Sequence, residues 1–178
     1  CISQMKWIND VLINGKKVSG TYCIRHHIDQ SQTVLEVGIG LNLNMGSHFF
    51  NQVDQPITSL KHECNLEIDR IILLECLLNS LRKNLNTFFD KGFQPFHQDI
   101  NQNLACIGQT LTFDLNANHD SLITPEHYNH PSLPPKLIQA EITGLDANGK
   151  LIINPSNQLQ QMLVDARGKI CKVPSSHP

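Results

Sequence analysis

Short runs of apolar and polar residues alternate over the first forty positions, a pattern typical of strands. Two such runs, 11–13 and 16–18, flank Asn14-Gly15, a dipeptide that supplies both positive-φ positions of a type I′ turn. The pattern therefore predicts a β-hairpin. It then predicts that the returning strand continues over 19–25, that a polar loop covers 26–32 and that a further strand covers 33–39. Residues 45–56 are predicted to form a loop that becomes ordered when a ligand binds beneath it.

Apolar residues next recur at spacings of three and four, which predicts a helix over about 67–89 with one apolar stripe. The stripe consists of Ile71, Leu74, Leu78, Leu81, Leu85 and Phe88. Asn65 or Asp69 is predicted to cap the start of this helix, and Gly92 to follow its end. We interpret the stripe as core packing. A second, shorter helix is predicted over about 94–103.

From about residue 104 the pattern changes to short strands, which predicts a small antiparallel barrel. Its strands are predicted over 110–113, 137–145, 150–153 and 160–164, with a turn at Asp146-Ala147-Asn148-Gly149. Residues 114–135 are rich in Asn, His, Pro and Ser and are predicted to be a flexible insertion. The tail from Val173 is expected to fray. These patterns predict two domains, 1–103 and 104–178.

Composition narrows the possible functions. The chain has 178 residues, of which 40% are hydrophobic, and this supports a globular core. A formal net charge of −2 gives no electrostatic basis for binding nucleic acid or an anionic membrane surface. The strongest apolar run, 71–78, is too short to span a bilayer. The six dispersed cysteines form no Cys-x-x-Cys pair, which argues against a zinc ribbon and indicates a reduced, intracellular protein.

Several residues of the first strands suit ligand binding. Gly38 and Gly40 flank a strand end, where glycine lets the backbone approach a ligand closely. Asn42 and Asn44 follow at alternate positions, and Lys17 lies in the hairpin. A cation, amides and open backbone predict an anion or nucleotide site, although glycine at a strand end is also typical of a bulge or a turn.

Adjacent histidines His26-His27 raise the alternative of a metal site. Neighbouring side chains on a strand point to opposite faces of the sheet, so these two do not converge on one ion. We interpret the pair as part of a polar loop and predict no metal site within the chain.

Three motifs, in order, resemble the active site of the biotin protein ligases, a family of bacterial ligase/repressors and eukaryotic holocarboxylase synthetases. That family carries Lys-Trp-Pro-Asn-Asp, then a hairpin with Lys-x-x-Gly on its return strand, then a Gly-x-Gly-x-Asn strand end. The matching segments are Lys6-Trp7-Ile8-Asn9-Asp10, Lys17-Val18-Ser19-Gly20 and Gly38-Ile39-Gly40-Leu41-Asn42. Two later segments, Ile57-Thr58-Ser59-Leu60 and Gly144-Leu145-Asp146-Ala147-Asn148-Gly149, resemble the family's Thr-Ser-Leu element and its barrel hairpin.

The resemblance implies an α+β fold. A class II synthetase-like mixed sheet with helices, lacking its N-terminal half, would be followed by a small SH3-like β-barrel. It also implies an AMP-forming ligase that uses biotin, ATP and Mg²⁺. Biotin would first become biotinyl-AMP and would then pass to a lysine of a biotin-dependent carboxylase, on its biotin carboxyl carrier domain. No nucleic acid or membrane partner is expected, and homodimerisation is left open.

The resemblance also assigns roles to residues. Lys17 is expected to be catalytic, with its ammonium group on the biotin carboxyl oxygen and the α-phosphate, where negative charge develops. Lys16, on the opposite side of the hairpin, is expected to be solvated. The substrate- and nucleotide-binding residues are expected to be Asn9, Asp10, Gly20, Gly38, Gly40 and Asn42. A surface lysine and a simple Asn9-Asp10 turn are the structural alternatives.

The sequence departs from the family pattern. Ile8 replaces the proline, 21–24 lacks the acidic or amide residue common after the glycine, and Trp7 is the only tryptophan. The chain begins with Cys1 and lacks the family's Gly-Arg-Gly-Arg-like loop. We therefore expect a fragment with negligible ligase activity alone, because water would reach the anhydride.

The sequence is also compatible with two other functions. One is a non-catalytic pseudo-ligase or interaction module, and the other is a lipoate-type ligase of the same superfamily. Loss of activity in a full-length Lys17→Ala variant would separate an enzyme from a scaffold. The expected location is the cytoplasm, with the mitochondrion as the alternative because any targeting segment would lie upstream.

Overall fold

The computed structural model describes residues 1–29, 32–52, 55–114, 137–156, 160–164 and 170–172. Contacts divide the chain into two compact units, Cys1–Asp90 and Lys91–Pro178. The domain boundary expected after residue 103 stays a prediction.

The first unit begins with a four-stranded antiparallel meander in chain order. Its strands are β1 (Ser3–Lys6), β2 (Asp10–Ile13), β3 (Lys16–His27) and β4 (Thr33–Leu41). Asn14 and Gly15 have φ of 50° and 76°, which confirms the predicted hairpin turn between β2 and β3. The loop predicted over 26–32 is wrong for His26 and His27, because β3 and β4 remain paired as far as His27 and Thr33.

Helices follow the meander. A 3₁₀ turn covers Ser47–Gln52 within the loop predicted over 45–56, and α1 (Leu60–Cys64) was not predicted as a separate helix. Asn65 ends α1 in the left-handed conformation, with φ of 52°. Asp69 Oδ1 accepts hydrogen bonds from the backbone N–H groups of Ile71 and Ile72, so Asp69 caps α2 (Arg70–Lys91). Gly92, with φ of 67°, follows that helix as predicted.

The apolar stripe of α2 does not pack into a core. No residue of the helix is buried, and Ile71 and Leu78 are 73% and 54% exposed. The prediction of core packing is therefore wrong, because no described element of the first unit covers this face. The buried apolar residues of the unit are Leu12, Ile13, Val18 and Ile57. The core thus lies between the β2–β3 hairpin and the segment that leads into α1.

The second unit begins with α3 (Gln94–Gln102), close to the predicted bounds. A five-stranded antiparallel meander in chain order follows: β5 (Thr110–Asp114), β6 (Leu137–Leu145), β7 (Leu151–Pro155), β8 (Met162–Val164) and β9 (Ile170–Lys172). Alternate residues of β6 and β7 are buried, among them Ala140, Ile142, Leu151 and Ile153. The predicted insertion lies almost entirely outside the described residues, as does the tail from Val173.

A hydrogen-bonded junction fixes α3 to the sheet of the second unit. Asn101 Oδ1 accepts from the backbone N–H of Leu145 at 2.8 Å. His97 Nε2 lies 2.9 Å from the carbonyl oxygen of Leu145 and donates to it, since a carbonyl oxygen only accepts. The helix therefore belongs structurally with the strands that follow it.

The two sheets and three α-helices of the described ranges confirm the expected α+β class. The strands pair in antiparallel fashion, and among the described residues the one parallel contact is an isolated bridge between Lys17 and Ile57. None of the described helices is long and apolar enough to cross a bilayer.

Candidate functional site

A β-bulge determines where the side chain of Lys17 points. Leu12 pairs with Lys17 and Val11 pairs with Ser19, so β3 carries one extra residue, Val18, which is 2% exposed. Side chains alternate along β2, so Leu12 shares a face with Asp10. The bulge therefore places Lys17 on the face of Asp10, although an unbroken alternation along β3 would direct it to the other side.

The ammonium group of Lys17 forms an ion pair on this face. Lys17 Nζ lies 2.7 Å from Asp10 Oδ1, and the two side chains are 29% and 15% exposed. Asp10 pairs directly across the strands with Gly20. A Cβ atom added to Gly20 would lie 3.2 Å from Asp10 Oδ1 and 3.3 Å from Lys17 Nζ. Glycine at position 20 therefore leaves the space that the ion pair occupies.

The backbone of Lys17 is fixed from the side opposite β2. Its N–H donates to the carbonyl of Pro56 at 2.9 Å, and its own carbonyl accepts from Thr58 N–H at 2.9 Å. Lys16 takes a different direction, with its Nζ 3.9 Å from Glu63 Oε1 and its side chain 46% exposed. Adjacent lysines of one hairpin thus have separate environments, and Lys17 is the one held over the glycines.

Glycines of two strands form an open floor beside this cation. Gly20 of β3 pairs with Gly40 of β4, and a Cβ atom added to Gly40 would meet nothing closer than 3.7 Å. A pocket of about 280 Å³ is lined by Lys17, Val18, Ser19, Gly20, Gly40, Leu41 and Asn42. Ser19 Oγ donates to the carbonyl of Gly40 at 2.7 Å and holds the two strands together below the floor. The arrangement suits a ligand with an anionic group at Lys17.

The asparagines expected at the site are tied to the backbone. Asn9 Nδ2 donates to the carbonyl of Thr21 at 2.6 Å. Asn42 Nδ2 donates to the carbonyl of Thr58 at 3.0 Å, and Asn44 makes two hydrogen bonds to the backbone of Ile68. These contacts shape the loops around the floor. The binding roles of Asn9 and Asn42 stay predictions, while Gly38 lies further along β4 beneath the ring of Tyr22.

Glu63 supports the hairpin from α1, and the sequence reasoning missed it. Its carboxylate accepts from Thr58 Oγ1 and from Asn14 Nδ2, each at 2.6 Å. These hydrogen bonds, Thr58 first, hold the pKa of Glu63 below its usual range, and nearby Lys16 acts in the same direction. A charged residue in the first turn of a five-residue helix gave no signal of this long-range contact.

The described residues contribute one carboxylate, that of Asp10, beside the floor, and it is already paired with Lys17. Across the part of the chain that the structure describes, no three His, Cys, Asp or Glu side chains converge as metal ligands. This donor set does not form a protein cage for Mg²⁺, which is usually held through substrate phosphates and one or two carboxylates.

Comparison with known proteins finds similar sequences, although no family model matches this one. The chain is 33% identical over 95 residues to the bifunctional ligase/repressor BirA of Bacillus spizizenii. It is 30% identical over 102 residues to the chloroplastic biotin–protein ligase 1 of Arabidopsis thaliana. These alignments cover 52% and 53% of the chain, but only 29% and 25% of the relatives.

Solved structures extend the similarity to nearly the whole chain. The biotin protein ligase of Aquifex aeolicus matches 96% of it with a TM-score of 0.69, at 21% identity, and 65% of that enzyme is covered. The chain is thus similar to biotin protein ligases, in sequence over about half its length and in fold over most of it. The same Aquifex enzyme in complex with biotin and ATP matches with a TM-score of 0.66. The expected fold is thereby confirmed, and the chain spans about two thirds of these solved structures and under a third of the curated relatives.

Proposed function

We propose that this protein is a biotin–protein ligase, and that Lys17 on its glycine floor is the catalytic cation. The observation that carries the proposal is the bulge at Val18, which places Lys17 beside Gly20 and Gly40 in a chain related to biotin ligases. The substrates are biotin and ATP, and the acceptor is a lysine of the biotin carboxyl carrier domain of a carboxylase. Support for the substrates comes from the Aquifex enzyme with biotin and ATP.

In the first step, a biotin carboxylate oxygen forms a bond to the α-phosphorus of ATP, and the bond from that phosphorus to pyrophosphate breaks. In the second step, the amine of the acceptor lysine attacks the acyl carbon of biotinyl-AMP. AMP leaves, and the amine loses a proton.

Negative charge concentrates at the α-phosphate and at the attacking and departing oxygens during the first step. Lys17 offers its ammonium group to these oxygens. Asp10 fixes the direction of that group from 2.7 Å away. Because the cation is held before the substrate arrives, little reorganisation is needed as the charge develops. When bound, Mg²⁺ would neutralise part of the phosphate charge, and Asp10 is the described carboxylate nearest to Lys17.

Biotin- and ATP-dependent transfer of label to a purified biotin carboxyl carrier domain tests the proposal. The protein is isolated from its natural source, with lipoate and a lipoyl domain offered in parallel. Transfer of biotin supports the proposal. Transfer of lipoate alone would assign a lipoate-type ligase, and binding of biotin without transfer would favour a non-catalytic module.

We also propose a cytoplasmic location, with the mitochondrion as the alternative. Cys1, Cys23, Cys64, Cys76 and Cys106 are free thiols in the structure, in keeping with a reducing compartment. Fractionation of source cells, followed by immunodetection of the chain, distinguishes these locations.

A further inference from the structure

One face of the β3–β4 ribbon continues the glycine floor away from Lys17. Strand register pairs Gly20 with Gly40, Tyr22 with Gly38 and Ile24 with Glu36. Alternate residues share a face, so the Tyr22–Gly38 row follows the Gly20–Gly40 row. The rows lie about 7 Å apart, the rise of two residues in a strand.

The ring of Tyr22 occupies the second row. A Cβ atom added to Gly38 would lie 1.9 Å from Cε1, 2.2 Å from Cζ and 2.6 Å from Cδ1 of that ring. Tyr22 thus fills the space that any other residue at position 38 would need. The residue is 42% exposed, which leaves the outer side of its ring available for contact with a ligand. The pocket beside Lys17 begins at the neighbouring row, which Gly20 and Gly40 form.

Two polar side chains hold the ring in this place. The hydroxyl group of Tyr22 donates to Glu36 Oε1 at 3.1 Å, and Glu36 Oε2 lies 3.0 Å from His26 Nε2. All three side chains lie on the same face of the ribbon, since His26 is four residues beyond Tyr22. Nothing in the proposed chemistry uses these groups.

We propose that Tyr22 determines which small carboxylic acid binds at Lys17. Its ring forms the end wall of the floor and contacts the apolar part of that acid. Glu36 and His26 are positioning residues that hold the ring in place. This inference rests on the proposed function and deepens it. The carboxylate of the acid would lie at Lys17, and its apolar chain would lie over the glycine backbone. The far end of the acid would then contact the ring of Tyr22. Aromatic side chains supply large apolar contact area with little loss of conformational entropy.

Steady-state exchange of pyrophosphate into ATP, measured with biotin and with lipoate, tests the inference in the protein from its natural gene. Tyr22→Ala is expected to raise KM for biotin about tenfold and to lower the preference for biotin over lipoate by a similar factor. KM for ATP should change by less than about twofold, since the ring faces the acid. Tyr22→Phe keeps the wall and loses only the hydroxyl group, so KM for biotin should rise by about threefold or less.

The positioning role is tested at Glu36. Glu36→Gln retains an oxygen that accepts from Tyr22 and should keep KM for biotin near the wild-type value, whereas Glu36→Ala should behave as Tyr22→Phe does. Cys23→Ala is the matched control, because Cys23 lies on the same strand and the opposite face. Thermal unfolding of each variant shows whether the fold is intact.

Unchanged KM and unchanged acid preference in a folded Tyr22→Ala variant, with an active wild type, would overturn this inference and leave the proposed function in place. A wild-type protein that exchanges pyrophosphate with neither acid would overturn the proposed function, and the inference with it. A Cys23→Ala variant that shifts KM as much as Tyr22→Ala would also overturn the inference, because the effect would then not depend on the face.

Discussion

Lys17 and Asp10 form an ion pair, with 2.7 Å between Nζ and Oδ1, over a glycine that leaves room for both. Their proximity depends on the extra residue Val18, which turns Lys17 to the face of Asp10. A long flexible side chain is thereby restricted before any ligand arrives. The side-chain conformational entropy of Lys17 is therefore lost during folding, and little more is lost during catalysis.

Replacement of Lys17 tests its catalytic role. Lys17→Ala removes the cation beside the reacting oxygens, and kcat for biotin-dependent pyrophosphate exchange should fall by about 10²–10³-fold. Lys16→Ala is the matched control, because its ammonium group lies near Glu63 and not near Asp10. Equal losses in the two variants would contradict a role specific to Lys17.

Gly40→Ala tests whether the absence of a side chain at position 40 serves ligand binding or folding. The nearest atom to an added Cβ, the carbonyl oxygen of Gly20, lies 3.7 Å away, which is an ordinary contact. The free energy of unfolding should therefore stay the same or rise by about 0.5 kcal/mol. If a ligand lies on the floor, the added methyl group should raise KM for biotin or ATP several-fold. Denaturant titration and exchange kinetics give both values, and unchanged kinetics would place the ligand elsewhere.

Acid should weaken the first unit through Glu63. Hydrogen bonds from Thr58 first and Asn14 next lower its pKa in the folded chain from the usual 4.5. A carboxyl group with a lowered folded pKa stabilises the fold fully above its unfolded pKa, and this stabilisation is lost as the pH falls through the folded pKa. The free energy of unfolding should thus decline as the pH falls below about 4.5.

Glu63→Gln should remove much of this acid dependence and cost about 1–3 kcal/mol at neutral pH, because the charged acceptor is lost. Glu67→Gln serves as the control, since Glu67 pairs only with Lys61 among the described contacts and its side chain is 72% exposed. Denaturation at a series of pH values gives the comparison. An acid dependence that persists in Glu63→Gln would show that another group is responsible.

Asn101→Ala should weaken the junction between α3 and the strands of the second unit. The variant leaves the N–H of Leu145, which is 6% exposed, without its side-chain acceptor. The cost should be about 1–3 kcal/mol in the free energy of unfolding, measured with denaturant. Asn103→Ala is the control, because among the described contacts Asn103 Nδ2 bonds only to the carbonyl of Asp99 near the end of its own helix. A smaller loss at Asn101 than at Asn103 would contradict the junction.

Local signals predicted the hairpin well. Asn14-Gly15 determines the turn by its own backbone preferences, and Asp69 caps α2 through hydrogen bonds within three residues. The bulge at Val18 was not predicted, because its position depends on which residues of β2 lie opposite. The site residue Lys17 was therefore chosen by resemblance, and its orientation required the structure.

Long-range contacts limited the sequence reasoning further. Glu63 is 49 residues from Asn14, and no local pattern links the two. The periodicity of α2 predicted the helix but not its surroundings, because an apolar stripe shows which face seeks a partner without showing that one is present. Residues 21–24 were noted only for lacking the family's acidic or amide residue, and the place of Tyr22 over Gly38 became evident from the register of β3 and β4.

Strand order in both sheets follows the order of the chain, β1-β2-β3-β4 and β5-β6-β7-β8-β9. Every ladder among the described strands therefore forms between consecutive strands, so a growing chain can pair each strand soon after it is made. Proteins rich in such local pairings fold faster than those that must close long loops first. We expect the pocket beside Lys17 to form early in folding, as soon as β2, β3 and β4 have paired.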